Sequence, residues 1–591
     1  MGNLSGGEEY TLKKGEYIER KGEYIKDNVN DKKNYSLILS VYSKSEVIKD
    51  LFTKLIDDID KDKDDFDVML LIRFLLIAKK NQNPNYKYYL TESKKILDKY
   101  KFWLERGETV QCYWSENHLI SYISSLYLWN QLNSKSNEEC LKSNKECLKL
   151  LTIYIESKCK FLFHEFLSQV YLKYTLNALL NIYDFIEVGN SKIIEDLKSK
   201  VKKCINIIIQ QFIEVSNTNG IIYCAQGRTY DSYRNDSTGK DINKLLYLLT
   251  GKPNENGMSP IGVFLATSTY EPDNIDFNVN SDYENTYSIG YCDFKQNPIF
   301  SELDEYQKII FQLSAGLYFN YENITDTIKL FNYYDLYKHK HFGLEKYKNL
   351  IQWTPSMLLK FISFILNSYT GGSKLTFIDY HIYNNNNYTL TSAENYNKGL
   401  SGAQQFVWVA NVNGSSVYTQ SGNSFGSGHV GSTLNNSHLP YIKQNKDIII
   451  MMYRPGFILR NTKFISKYDI NVYLKFIKSD FDEVVYDNKK NWLFGNKQNT
   501  YIAIYSTSLK IKKINSDDVY YNDSLNQCWI IILGDNKKYE SLGDNKKYES
   551  FDDFKTKILT NAKIKFSLKN RLSNKYIGSI DYNNKNIEII W

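Results

Sequence analysis

The feature that most constrains this chain is a change in the spacing of its apolar residues near position 370. From about Tyr35 to Ser368 they recur every three to four positions, as in DDFDVMLLIRFLLIAKK, HLISYISSLYLWNQL, EFLSQVYLKYTLNALLNIYDFIE and IEDLKSKVKKCINIIIQQFIEV. Runs of ten or more residues at that spacing are helices with a buried face. After YTGGSK the period falls to two, in KLTFIDYHIY, AQQFVWVANV, DIIIMMY, TYIAIYSTSLKIKKI and CWIIILGD. Short alternating or apolar runs punctuated by Asn, Gly and Asp are antiparallel strands. At 591 residues the chain exceeds what a single core supports. The expected organisation is therefore multidomain: a polar N-terminal extension at 1–34, a helical domain at 35–370 and an antiparallel β-sandwich at 371–591, with Gly371 and Gly372 at the boundary. Paired helices over such a length close into a bundle, a solenoid or an incomplete ring of hairpins.

Charge and cysteine usage narrow the function. The net charge of +7 is small and the lysines are interspersed with acids, whereas a dedicated nucleic-acid binder concentrates basic residues on one face. An acidic polysaccharide or oligosaccharide is compatible with that balance, and no nucleic-acid partner is expected. Eight scattered cysteines without a CxxC pair exclude zinc-ribbon spacing and indicate reduced thiols. The first residues, MGNLSGGEEYTLKKGEY, contain no apolar signal segment, and no window is apolar enough to span a bilayer. A cytoplasmic protein is the expectation, with unconventional export left open. Neither a cofactor nor a metal is expected, since HEFLS is not HExxH. Three short duplications, GEYIERKGEYIK, NEECLKSNKECLK and LGDNKKYESLGDNKKYES, have no repeat-protein period and read as slippage in loops.

Three motifs carry candidate chemistry. In CYWSENHLISYISSLYLW, Ser115 is placed to cap a helix whose first turn holds Glu116, Asn117 and His118. Only at a helix start can these consecutive side chains share one mouth, because inside a helix they diverge by about 100°. The same residues also fit a plain cap with His118 in the core. In GIIYCAQGRTYDSYRND, Gly227 permits close backbone approach, Arg228 can fork onto an acidic group and Tyr230 supplies a hydroxyl. In FHEFLSQVY, residues His164, Glu165, Ser168 and Tyr171 have the spacing of a polar stripe on a helix. GSGHVG at 426–431 matches a dinucleotide fingerprint, but its β-pattern flanks reject a Rossmann site and leave a flexible loop. The pair in HKH, His339 and His341, lacks ligand-spaced partners and reads as solvated.

Taken in order, YWSENH, HEFLSQVY, QGRTY, GAQQFVWVANV, LPYIKQNKDIIIMMY, NWLFGNKQNTYIAIYS and CWIIILGD with SFDDF resemble a broad and largely uncharacterised family. Its members look like polysaccharide lyases of (α/α) toroid plus antiparallel β-sandwich architecture, such as chondroitin, hyaluronate, alginate and heparin lyases. The resemblance implies an incomplete toroid for 35–370 and β-elimination on a uronate glycan. It further implies that Asn117 quenches the uronate carboxylate, His118 takes the C5 proton and Arg228 binds an acidic sugar. Tyr230 is the expected acid, with Tyr122 and Tyr171 behind it. Trp114, Glu116, Glu165, Tyr171, Gln226 and Arg228 form the expected substrate-contacting set. One departure is Gln226, which stands where the family often has a His and cannot exchange protons. Two other classes remain open: a toroid-type glycoside hydrolase using Glu116 and Glu165, and a noncatalytic glycan-binding or structural protein.

Overall fold

The computed structural model describes residues 14–133, 138–189, 191–230, 240–253, 257–273, 275–276, 282–290, 297–316, 321–370, 377–396, 402–422, 435–436, 438–455, 471–514, 517–536, 547–570 and 575–591. The boundary glycines and the GSGHVG loop lie outside them.

The helical region comes first. Its elements are α1 (Lys14–Asn28), α2 (Ser36–Tyr42), α3 (Lys49–Asp62), α4 (Asp65–Lys80), α5 (Tyr86–Leu97), α6 (Glu116–Asn133), α7 (Glu138–Phe161), α8 (Leu172–Phe185), α9 (Lys192–Glu214), α10 (Asp241–Thr250) and α11 (Pro260–Ala266). In an inner layer α2 packs on α4, α4 on α6, α6 on α8 and α8 on α11, while α3, α5, α7, α9 and α10 lie outside against them. This is an incomplete toroid of helical pairs. The inner helices α4 and α6 are buried almost all round because both faces are covered. Arg73 at the centre of α4 is fully buried, and its guanidinium donates to Asp184, Asn181, Thr267 Oγ1 and the carbonyl of Phe264, tying α4, α8 and α11 together. Helices α12 (Glu305–Ser314), α13 (Ile324–Tyr334), α14 (Lys348–Trp353) and α15 (Ser356–Thr370) follow in this part. No described helix is long and apolar enough to cross a membrane.

Two duplications are helical, contrary to the loop reading. In GEYIERKGEYIK the repeat is seven residues, two helical turns, so Tyr17 and Tyr24 share the buried face of α1. Tyr17 Oη donates to the carbonyl of Tyr270, and Tyr24 Oη to that of Ser259. The second duplication lies in α7 from Glu138 onward, its first residue being outside the described residues.

The strands form two large antiparallel sheets. Among the described residues one has eight strands, beginning with β1 (Tyr283–Gly290) and β2 (Phe377–Asn384), and the other six, centred on Thr500–Ser506, Gln527–Asp535 and Ile448–Tyr453. The strand QCWIIILGD is buried along its whole length because the sheet is covered on both sides. Trp529, Ile531 and Leu533 face the eight-stranded sheet, while Cys528, Ile530 and Ile532 face a third layer made of helix α16 (Phe551–Asn561) and the hairpins of Lys563–Ile590. The period of two also marks AKIKFSLKN, KYIGSIDY and NIEIIW as strands, but it assigned them to the sandwich and not to a separate outer layer. The helical region also lends a strand, since β1 pairs with β2 over eight residues from Tyr283↔Asn384 to Gly290↔Phe377.

Candidate functional site

Three chain segments meet where the toroid touches the sandwich: the start of α6, the α7–α8 connection and residues 220–230 after α9. Helix α6 begins at Glu116, so Ser115 takes the cap position as expected, although its hydroxyl makes no hydrogen bond. Glu116 faces inward. It is fully buried, paired with the ammonium of Lys158 on α7, and its carboxylate accepts the backbone N–H groups of His164 (3.1 Å) and Glu165 (2.9 Å). Burial pushes this carboxyl up, and Lys158 with His164 more than reverses that, leaving it below the usual carboxylate range.

This clamp explains why FHEFLSQVY is not a helix. The segment is a chain of turns in which Leu167 adopts a left-handed φ of 48°, as does Leu162 just before it at 60°. Gly227 donates its N–H to the carbonyl of Phe166 (2.9 Å). A Cβ on Gly227 would lie 2.3 Å from the His164 carbonyl oxygen, so glycine is required for the close approach of two backbones and not of a ligand. Gln226 pairs as an isolated bridge with Phe406 of the sandwich, and its side-chain oxygen accepts the N–H of Gln169 (3.1 Å).

These constraints bring Arg228 over the ring of Tyr171, 4.4 Å from its centroid. The guanidinium donates from Nη1 to Glu165 Oε1 (2.7 Å) and from Nε and Nη2 to Gln404 Oε1 (3.1 and 3.0 Å). Asn117, fully buried, donates its amide to both oxygens of Glu165 (2.7 and 2.9 Å). Burial raises the Glu165 carboxyl above its ordinary range, with Arg228 opposing. Gln404 Nε2 donates to Tyr171 Oη (3.2 Å), and Tyr171 donates to Tyr230 Oη (2.6 Å). As the acceptor at the end of this chain, Tyr230 keeps its own hydroxyl hydrogen to donate.

His118 stands beside Asn117, its side chain 23% exposed. Its Nδ1 lies 2.9 and 3.0 Å from the two carboxylate oxygens of Asp65, so Nδ1 carries the hydrogen and Nε2 presents a lone pair. Burial pushes His118 down, but the Asp65 charge and hydrogen bond outweigh it, and the imidazole lies above its usual range. Phe66 stacks on the imidazole at 4.9 Å with planes 16° apart. The His341 imidazole lies below its usual range, first through burial and then through the charges of Arg228 and His118.

Among the expected residues, Asn117, His118, Glu165, Tyr171, Arg228 and Tyr230 are thus brought together. Trp114, Glu116, Glu165 and Gln226 are sealed inside, so the expectation that they contact substrate is corrected: Trp114 packs edge-on against His339 at 4.8 Å, Glu116 clamps the turn, Glu165 holds Asn117 and Arg228, and Gln226 joins the lobes. Tyr122 is a core residue packed on Tyr113. HKH is not simply solvated, because His339 is buried with Nε2 2.9 Å from the Gln111 carbonyl. Asp65, Phe66, Gln404 and His341 were missed. The acidic run DDFD reads as a helix start, and Asp64 does cap α4 by accepting the Phe66 N–H at 2.8 Å. Nothing local distinguishes the next carboxylate from its neighbour. Among the described residues no cluster of three or more His, Cys, Asp or Glu could hold a metal.

No family model matches the chain, and no curated protein matches it. Among solved structures, the crystal structure of heparinase III aligns with 94% of this chain and 82% of its own, at 9% identity and a TM-score of 0.36.

Proposed function

We propose that the chain cleaves a uronate-containing glycan by β-elimination, using His118 as base, Tyr230 as acid and Arg228 as carboxylate partner. The observation that carries this reading is the convergence of a carboxylate-oriented histidine, a tethered guanidinium and a tyrosine hydroxyl pair on partly exposed surface. His118 Nε2 takes the C5 proton, and the C–H electrons form the C4–C5 double bond as the C4–O bond breaks. Tyr230 protonates the departing oxygen. Arg228 neutralises the carboxylate on which charge develops, and Glu165 and Gln404 hold it in place before substrate arrives. Asn117 acts through Glu165 in this scheme, because its amide is bonded there. Hydrolysis would need two carboxyls facing the sugar, and Glu116, one of its two candidates, is enclosed with Lys158.

The test is ultraviolet absorbance of the unsaturated product, with alginate, hyaluronan, chondroitin and heparin as substrates. Product is expected from at least one polymer, with a loss of about 100-fold or more in His118→Ala. A folded protein silent on all four, or a fully active His118→Ala, overturns the proposal. Reducing-sugar release without absorbance identifies hydrolysis instead.

A further inference from the structure

Outside this site, one pair of nucleophilic side chains stands apart from the other cysteines. Cys159 on α7 and Cys204 on α9 place their sulfurs 3.4 Å apart, where the two outer helices pack. Cys204 is fully buried and Cys159 partly exposed. Lys200 crosses the same seam to Glu156 at 2.7 Å. Glu156 and Cys159 are three residues apart on one helix and Lys200 and Cys204 four apart on the other, so ion pair and thiol pair lie side by side.

The environments of the two sulfurs divide the roles. The Cys204 thiol, hydrogen-bonded to Cys159, holds the Cys159 sulfur below the ordinary thiol range against the effect of burial, and Lys203 and Lys200 add to this. Cys112, Cys147, Cys224 and Cys528 are pushed up to about 12, in each case chiefly by burial. Among the described cysteines with a shifted thiol, only Cys159 combines partial exposure, flanking ammonium groups and a second thiol within reach. A disulfide requires a sulfur separation of about 2.05 Å, so the pair must close by little more than an ångström.

We propose that Cys159 and Cys204 form a peroxide-reactive dithiol that converts reversibly to an intramolecular disulfide. The Cys159 thiol ionises and its sulfur attacks the hydroxyl oxygen of a hydroperoxide, the O–O bond breaks, and the departing hydroxide (or alkoxide) takes up the proton Cys159 released and leaves as water (or the alcohol), giving a sulfenic acid. Cys204 then attacks that sulfur, the S–O bond breaks, and a second water departs with the Cys204 proton. Two thiols are oxidised by two electrons while one hydroperoxide is reduced, and a dithiol reductant restores the pair.

The experiment treats the intact protein with a small excess of hydrogen peroxide, alkylates remaining thiols after denaturation, and cleaves after glutamate. The expected product is a cross-link between peptides 157–165 and 196–214, lost on reduction. Cys204→Ser is expected to trap a dimedone-reactive sulfenic acid at Cys159, and Cys159→Ser to leave Cys204 reduced. Wild-type protein that stays fully alkylated at both positions, or Cys159 that runs to sulfinic acid with Cys204 untouched, overturns the proposal. So does peroxide oxidation of Cys204 at the wild-type rate in Cys159→Ser.

Discussion

Replacing Glu116 by Gln separates a structural clamp from a catalytic acid. The substitution preserves size but keeps one oxygen of the two that accept the N–H groups of His164 and Glu165, and it leaves the Lys158 ammonium, 2% exposed, without its counter-charge. Breaking one side of a buried pair costs about 3–5 kcal/mol. Because both partners are enclosed, that full range applies to Glu116→Gln. Removing the acceptor as well, in Glu116→Ala, adds about 1–3 kcal/mol for each N–H left unsatisfied. Combining Glu116→Gln with Lys158→Met removes both charges and is expected to recover most of the loss. The measurement is urea unfolding followed at the helical far-ultraviolet circular dichroism band, with all four proteins at one pH. Sign follows from linkage: the Glu116 carboxyl is lowered in the folded state, so its stabilisation is present above the unfolded carboxylate pKa and fades as pH falls through the folded one. The gap between wild type and Glu116→Gln should therefore shrink in acid. If Glu116→Gln costs less than about 1 kcal/mol at neutral pH while abolishing turnover, the clamp is refuted and Glu116 becomes a chemical group.

Other consequences concern the site directly. If His118 is the base, turnover rises with pH through an imidazole pKa above the usual range, and Asp65→Asn moves that acidic limb to lower pH while reducing kcat, which a pH profile of both proteins detects. A raised histidine stabilises the fold fully below its unfolded pKa and loses that contribution as pH rises through the folded one, so Asp65→Asn should cost most stability in mild acid, readable as a Tm difference between acidic and alkaline buffers. Gly227→Ala forces a methyl against the His164 carbonyl and the Phe166 ring, and should cost about 1–3 kcal/mol in the same unfolding assay. Arg228→Lys keeps the charge but loses the fork onto Gln404 and Glu165, so kcat/KM on the responsive polymer should fall about tenfold or more.

Periodicity carried the architecture because it is local: a helix or a strand buries the face its own residues repeat on. That logic placed α4 and α6, the strand QCWIIILGD and the start of α6 at Glu116. It was less informative where structure depends on distant chain. FHEFLSQVY has helical spacing, yet the Glu116 clamp and the Gly227 contact hold it in turns. β1 becomes a strand because β2, almost a hundred residues later, offers it an edge. The site shows the same division. YWSENH and QGRTY marked His118, Asn117 and Arg228 by residue type, while the tertiary fold decided which of them reach partly exposed surface. Glu116 and Asn117 turned inward to Lys158 and Glu165, and Asp65 and Gln404, remote in sequence, became the partners of His118 and Arg228. A charged group's role is set by what lies within a few ångströms of it, and in this protein those neighbours come from other helices and from the sandwich.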